Sequence, residues 1–142
     1  MIEQFRQGAV GVEQDPWLIE TIAGIIEPGE DIEGVARREA EEEAGLELAK
    51  LHFVTRYFAS PGGSTETVDR FVAKAETAAA GGIFGLAVEG EDIKVHVLGF
   101  ERALSWLSEG RIKVATTIIA LQWLHLNRDR LRAAWRPGVE DA

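Results

Sequence analysis

The 142-residue chain contains no cysteine, which excludes disulfide bridges, thiol nucleophiles and cysteine-ligated zinc together. Positive charge is also scarce. Fifteen Lys and Arg face 24 Asp and Glu, leaving −9 and a pI near 4.8, the wrong sign for tracking a nucleic-acid backbone. Only four prolines, with 46% hydrophobic and 27% charged residues, are not the balance of a disordered or fibrous chain. No uncharged run reaches the roughly 20 residues that cross a bilayer; the twelve residues 77–88 are broken by three glycines. The opening Met1-Ile2-Glu3-Gln4-Phe5-Arg6 lacks the apolar core of a signal peptide. These absences lead to the expectation of a cytoplasmic protein with no nucleic-acid and no membrane partner, and the length to that of one domain over residues 1–142.

Periodicity supplies the elements. Residues 2–12 and 17–23 read as strands separated by a turn at Gln14-Asp15-Pro16, and residues 24–29 as a loop broken by Pro28-Gly29. A helix follows, with Asp31 as its cap, Ile32, Val35, Ala36 and Ala40 as a narrow apolar stripe, and Gly45 as its end. Strands are expected over 51–59, 67–75 and 93–100, with loops at 60–64 and 78–92. The C-terminal third turns helical, over 101–108 and 116–135. Mixed strands with helices outside predict an α/β or α+β domain. His52, His96 and His125 have no ligand spacing and read as structural, and Trp123 and Trp135 as core or interface.

The acid is unevenly placed: residues 27–47 hold nine carboxylates against Arg37 and Arg38, a local balance of −7. Such a run by itself reads as a solvated helix face, but its spacing points further. Glu39, Glu42 and Glu43 stand at i, i+3 and i+4, on one helix face within about a turn. Like charges at that spacing cost about 0.2–0.5 kcal/mol each, so three together call for a compensating cation. Arg38 offsets one. A hard divalent ion, Mg²⁺ or Mn²⁺, suits the rest, because it takes oxygen ligands and keeps positions open for substrate phosphate oxygens.

Gly24, five residues, Glu30, seven residues, then Arg38-Glu39-Ala40-Glu41-Glu42-Glu43-Ala44-Gly45-Leu46 matches a nine-position pattern over 23 residues. On it the chain resembles the Nudix hydrolase family. Outside the box it is similar to the bacterial ADP-ribose pyrophosphatase branch, through Glu3-Gln4-Phe5-Arg6, Ser60-Pro61-Gly62-Gly63-Ser64-Thr65-Glu66, residues 81–93 and Ile119-Ala120-Leu121-Gln122-Trp123-Leu124. Pro61, fifteen residues beyond Leu46, stands about where that branch carries its marker proline.

The resemblance implies a Nudix fold, a mixed β-sheet sandwiched between α-helices with the box as loop–helix–loop. It implies Mg²⁺ as cofactor, with Mn²⁺ as a substitute, and assigns Glu39 and Glu43 as principal metal ligands, joined by the backbone carbonyl of Ala23 and by Glu91. Glu42 becomes an auxiliary ligand or orienting group in catalysis, and Glu89 the group that activates the attacking water, with Glu91 as its alternative in that role. Arg6 and Glu66 match positions near the substrate, although Arg6 reads equally as the partner of a surface carboxylate. Gly24, Glu30, Arg38 and Gly45 complete the motif structurally. An anionic diphosphate would be repelled by such an acidic pocket unless bound metal inverted the field and lowered the pKa of the nucleophilic water.

The implied reaction is cleavage of ADP-ribose to AMP and ribose 5-phosphate by a homodimer. The alternatives are a GDP-mannose or other nucleotide-sugar hydrolase, a nucleoside triphosphate sanitising enzyme and, from another class, a catalytically silent ligand-binding module. Relatives in this branch carry an N-terminal strand region ahead of Glu-Gln-Phe-Arg that exchanges between subunits and helps hold adenine, whereas here Met1 stands two residues before Glu3. A first strand without a neighbour on one side is therefore expected. Lys113-Val114 also departs from the acid or amide more often found there.

Overall fold

Alternation of apolar side chains along short strands decides how the sheet is built. The computed structural model describes residues 1–77, 80–85 and 92–136. In chain order its elements are β1 (Ile2–Phe5), β2 (Trp17–Glu20), α1 (Ile32–Ala44), β3 (Leu48–Phe58), β4 (Thr67–Ala75), β5 (Gly82–Phe84), β6 (Ile93–Val95), α2 (Phe100–Ser108) and α3 (Ala115–Ala134). Four strands form one sheet in the order β2-β1-β6-β5, and β3 and β4 form a second. All of these named strand pairs run antiparallel.

Because side chains alternate across a strand, the four-stranded sheet serves two cores, one on each face. Ile2 lies opposite Val95 and Gln4 opposite Ile93; Ile2, Ile93 and Val95 pack with Ala44 of α1, flanked by Ile22, Leu46 and Phe84. On the other side Ile19 packs with Ala103 and Trp106 of α2, with Ile112, and with Leu121 of α3. The four-stranded sheet thus lies between α1 and the α2–α3 pair, an α+β arrangement with the sheet sandwiched by helices.

Several expectations need correction. The first strand is not an edge: β1 is bonded to β2 on one side and β6 on the other, and the edges are β2 and β5. Its neighbour comes from residues 93–95, too distant in sequence for local pattern to reveal. The strand is also shorter than residues 2–12, because a 3₁₀ turn at Gln7–Ala9 and Gly11 at φ 82° turn the chain back. The strand expected over 93–100 stops at Val95, and α2 begins at Phe100 with Gly99 as its N-cap. The loop expected over 78–92 contains β5, and β3 starts three residues earlier than expected, at Leu48.

Helix α1 keeps the predicted ends. Asp31 accepts a hydrogen bond from the Gly34 N–H at 2.8 Å, satisfying one of the orphan donors of the first turn. Gly45 closes the helix at φ 62°; its N–H donates to Glu41 O at 2.8 Å and that of Leu46 to Ala40 O at 3.0 Å, which suits glycine in the left-handed region.

The interior position of β1 sets a test. Ile2→Ala, at a side chain with 0% exposure, is expected to lower unfolding free energy by about 2–5 kcal/mol. Ile83→Ala on edge strand β5, 75% exposed, should change it by less than about 0.5 kcal/mol. Urea unfolding of both variants checks this, and equal losses would contradict the strand order.

Candidate metal and catalytic site

The site is assembled where the loop after β2 meets the last two turns of α1. At about 100° per residue, Glu39 and Glu43 project in nearly the same direction from the helix, with Glu42 a step to the side. Glu43 is 3% exposed, and its Oε2 accepts a hydrogen bond from the Ala23 N–H at 3.0 Å. A buried carboxylate must be hydrogen-bonded to be tolerated, and here the loop backbone meets that need. Glu39 lies against the next residue: a Cβ on Gly24 would overlap its carboxylate. Glycine at this box position is therefore a matter of space rather than of φ.

Arg38 links the other carboxylates. Its Nη1 contacts Glu39 Oε1 at 2.8 Å and Glu42 Oε2 at 2.9 Å. The hydrogen bond it donates to Glu42, more than any other influence, holds the pKa of this guanidinium above its ordinary value. Arg38 therefore offsets two of the three glutamates. Glu30 folds back on its own loop, its Oε2 accepting from the Glu27 N–H at 2.8 Å while its N–H donates to Glu27 O at 3.0 Å. Gly45 packs beneath the Phe84 ring, where a Cβ would come within 2.8 Å.

The remaining sequence candidates divide. Ala23, Gly24, Glu39 and Glu43 are brought together, with Arg38 and Glu42 alongside. Arg6 is held by Glu20 through two hydrogen bonds, at 2.9 and 2.7 Å, the geometry of a paired arginine. Glu66 sits at the tip of the β3–β4 hairpin, its N–H donating to Ser64 Oγ at 3.0 Å and its carbonyl accepting from the Ala59 N–H at 3.0 Å. Glu89 and Glu91 lie outside the described residues. The histidines have non-metal neighbours: His96 Nε2 is 2.9 Å from Glu3 Oε2, His52 lies by Trp123 and His125 stacks on Phe100.

Among the described residues, no three His, Asp or Glu side chains converge closely enough to hold a metal by themselves. Two carboxylates on adjacent turns, seated against the Ala23–Gly24 loop, nonetheless offer oxygen donors of the kind a hard divalent cation takes. Sequence reasoning missed four residues around this loop: Glu20, Thr21, Arg70 and Thr117. Thr21 donates its N–H to Thr117 Oγ1 at 3.1 Å and accepts at its Oγ1 from Arg70 Nη1 at 2.7 Å. The available signal was Arg70 itself, a charge in the inward register of Val68 and Val72.

A model of the NUDIX domain matches residues 3–118. The chain belongs to the NUDIX domain family. Within NUDIX proteins it is similar to an ADP-ribose pyrophosphatase of Escherichia coli (strain K12), 47% identical over 135 residues covering 95% of this chain and 65% of that protein. A Haemophilus influenzae protein of the same name is 45% identical over 139 residues, covering 96% and 64% of the two chains. A GDP-mannose pyrophosphatase of Salmonella arizonae is 37% identical over 131 residues, covering 89% and 66%. The chain spans about two thirds or less of the length of these curated relatives, 64–66%.

The NUDIX loop offers a direct test of Gly24. Gly24→Ala should keep the fold, with stability within about 1 kcal/mol of the parent, because the added methyl displaces a side chain and not backbone. It should abolish any rise in Tm on adding Mg²⁺ or Mn²⁺, since Glu39 is pushed off the loop. Thermal unfolding with and without the cation measures this, and an undiminished shift would separate Glu39 from the metal.

Proposed function

We propose that this NUDIX domain is a Mg²⁺-dependent pyrophosphohydrolase that cleaves the diphosphate of ADP-ribose to AMP and ribose 5-phosphate, with Mn²⁺ able to replace Mg²⁺. The observation that carries the reading is the convergence of Glu39 and buried Glu43 on the Ala23–Gly24 backbone, and the names of the relatives supply the substrate. Ala23, Glu39, Glu43 and Glu91 would hold the metal, which when bound neutralises diphosphate charge and acidifies water. The chain's own work is positioning and proton transfer. Glu43 fixes the loop through the Ala23 N–H, and Arg38 keeps Glu39 and Glu42 in place against their mutual repulsion. Glu89 would take the proton of the water that attacks one phosphorus as the bond to the bridging oxygen breaks, and Arg6 and Glu66 would contact the substrate.

The same reading takes residues 1–142 as one domain acting as a cytoplasmic homodimer on a small nucleoside diphosphate-linked substrate, without nucleic acid or membrane. Among the described residues no helix is long and apolar enough to cross a membrane. GDP-mannose is the second substrate reading, favoured by relatives of that name at 37% identity.

Purified protein with Mg²⁺ and ADP-ribose should release AMP and ribose 5-phosphate, and EDTA should stop it. A panel including GDP-mannose ranks the substrates, and turnover indifferent to metal would defeat the mechanism. Ligand and base separate by mutation. Glu43→Gln should weaken metal affinity and kcat together, whereas Glu89→Gln should spare metal affinity and lower kcat by roughly 10²–10⁴. If Glu91→Gln were the purely kinetic variant and Glu89→Gln the one that lost metal, the two roles would be exchanged.

A further inference from the structure

A cleft of about 380 Å³ opens between the first half of α1, the start of β3 and the C-terminal end of α3. Its volume is that of a small-ligand site, and none of its lining residues belongs to the metal and catalytic site. Arg37, Lys50 and Arg130 line it against a single carboxylate, Glu33, a balance of +2 with histidine counted neutral, in a chain whose balance is −9. Both arginines are exposed. Arg37 donates from Nη1 to the Leu48 carbonyl and Arg130 from Nη2 to Asn127 Oδ1 at 3.1 Å, so neutral acceptors orient them, and among the described residues neither forms an ion pair. Each keeps further N–H donors. The β3–β4 register brings a fourth cation near: Lys50 lies directly opposite Lys74, whose Nζ donates to the carbonyl of Trp135, a lining residue, at 3.2 Å. Like charges in that cross-strand relation repel. Trp135 and His52, both half-buried, give the cleft an aromatic side, with the Trp123 ring 5.5 Å from His52 between centroids.

Cations drawn from three separate elements, against the sign of the whole chain, are not a solvated helix face. They meet only in the fold, and a recess lined by one sign of charge concentrates the opposite sign. The balance of +2 sets the ligand's charge: a phosphomonoester carries about −1.5 to −2 at pH 7 and presents several oxygen acceptors to guanidinium donors. A halide or a lone carboxylate would leave half of the charge unmatched, and Glu33 opposes anything as negative as a triphosphate. We propose that this cleft binds a phosphomonoester, its phosphate held by Arg37 and Arg130 with Lys50 beside them, and its organic part packed on Trp135, as bases pack on aromatic side chains. The site is separate from the carboxylates of the NUDIX box and does not depend on the reaction proposed for them. It shares their helix, however. Arg37 lines the cleft while Arg38, next in the chain, bridges Glu39 and Glu42, so a ligand on Arg37 bears on the helix that carries those carboxylates.

Isothermal titration calorimetry of the full chain tests this at constant ionic strength in EDTA, where no metal draws phosphate to the acidic site and no turnover intervenes. The probes are inorganic phosphate, ribose 5-phosphate, AMP and adenosine. The parent should bind the two esters at one saturable site, inorganic phosphate several-fold more weakly, and adenosine not at all. Arg130→Gln, a change at an exposed position, should weaken binding of every phosphate about tenfold, and Lys50→Gln should act in the same direction. Trp135→Leu should weaken AMP and leave inorganic phosphate unchanged. AMP bound more tightly than ribose 5-phosphate identifies a nucleotide as the natural ester, and the reverse order a sugar phosphate. Equal affinities for all three phosphates would overturn the ester and leave free phosphate as the ligand. No saturable binding by the parent, or unchanged affinity in both Arg130→Gln and Lys50→Gln, would overturn the site itself; should one of these variants fail to fold, the other decides.

Discussion

The hydrogen bond from the Ala23 N–H to the Glu43 carboxylate, 3.0 Å long, is the constraint around which the rest of this NUDIX site is arranged. Glu43 is nearly sealed from solvent, and a carboxylate removed from water needs a donor in the protein. The donor must come from a chain segment that reaches α1 with its backbone exposed, which only a loop without bulky side chains can do. Ala23 and Gly24 fit that requirement. Once the loop is seated, Glu39 closes over Gly24, and the box's separation of fifteen residues between Gly24 and Glu39 becomes the length of chain needed to leave β2, turn at Pro28-Gly29 and run back along two turns of helix.

Electrostatics explains why so acidic a helix holds together and what it is disposed to bind. Glu41, Glu42 and Glu43 fall in the final turn of α1, which contains no basic residue, so they add to the negative end of the helix dipole and do not cancel it. Arg38, one turn earlier, bridges Glu39 and Glu42, but its side chain is substantially exposed and a bridge of that kind contributes little. Asp31 and Gly45 close the two ends by hydrogen bonds that owe nothing to those charges. Helix formation and charge accumulation are thus handled by different residues. The surplus of negative potential is left at one end of the helix, where it attracts a cation.

The box was legible in the sequence because every constraint in it is local: a cap, a breaker, a helical spacing and a C-terminal glycine. The helices were legible for the same reason, to within a residue at each boundary. What depended on distant partners was not. The place of β1 inside the sheet is decided by β6, some ninety residues away, and β5 is a three-residue strand in a segment rich in glycine, with no alternation to announce it. Glu20 and Arg70 were passed over because a charged residue within an apolar run looks like a surface position. Burial of Glu20 depends on Arg6, and the surroundings of Arg70 on the end of β2.

Those distant partners give the site its rigidity. Over three consecutive residues the chain leaving β2 is fixed from three directions: Thr117 of α3 accepts from the Thr21 N–H, Arg70 of β4 donates to the Thr21 hydroxyl oxygen, and Glu43 of α1 accepts from the Ala23 N–H. The helices involved lie on opposite faces of the four-stranded sheet, and β4 belongs to the other sheet. A change in the seating of any of them therefore bears directly on Thr21–Ala23. Catalytic positioning tolerates displacements well below 1 Å, so this short segment is where packing across the whole domain is converted into the placement of the carboxylates. The NUDIX box supplies the chemistry locally, but its accuracy is a property of two sheets and two helices held together at one threonine.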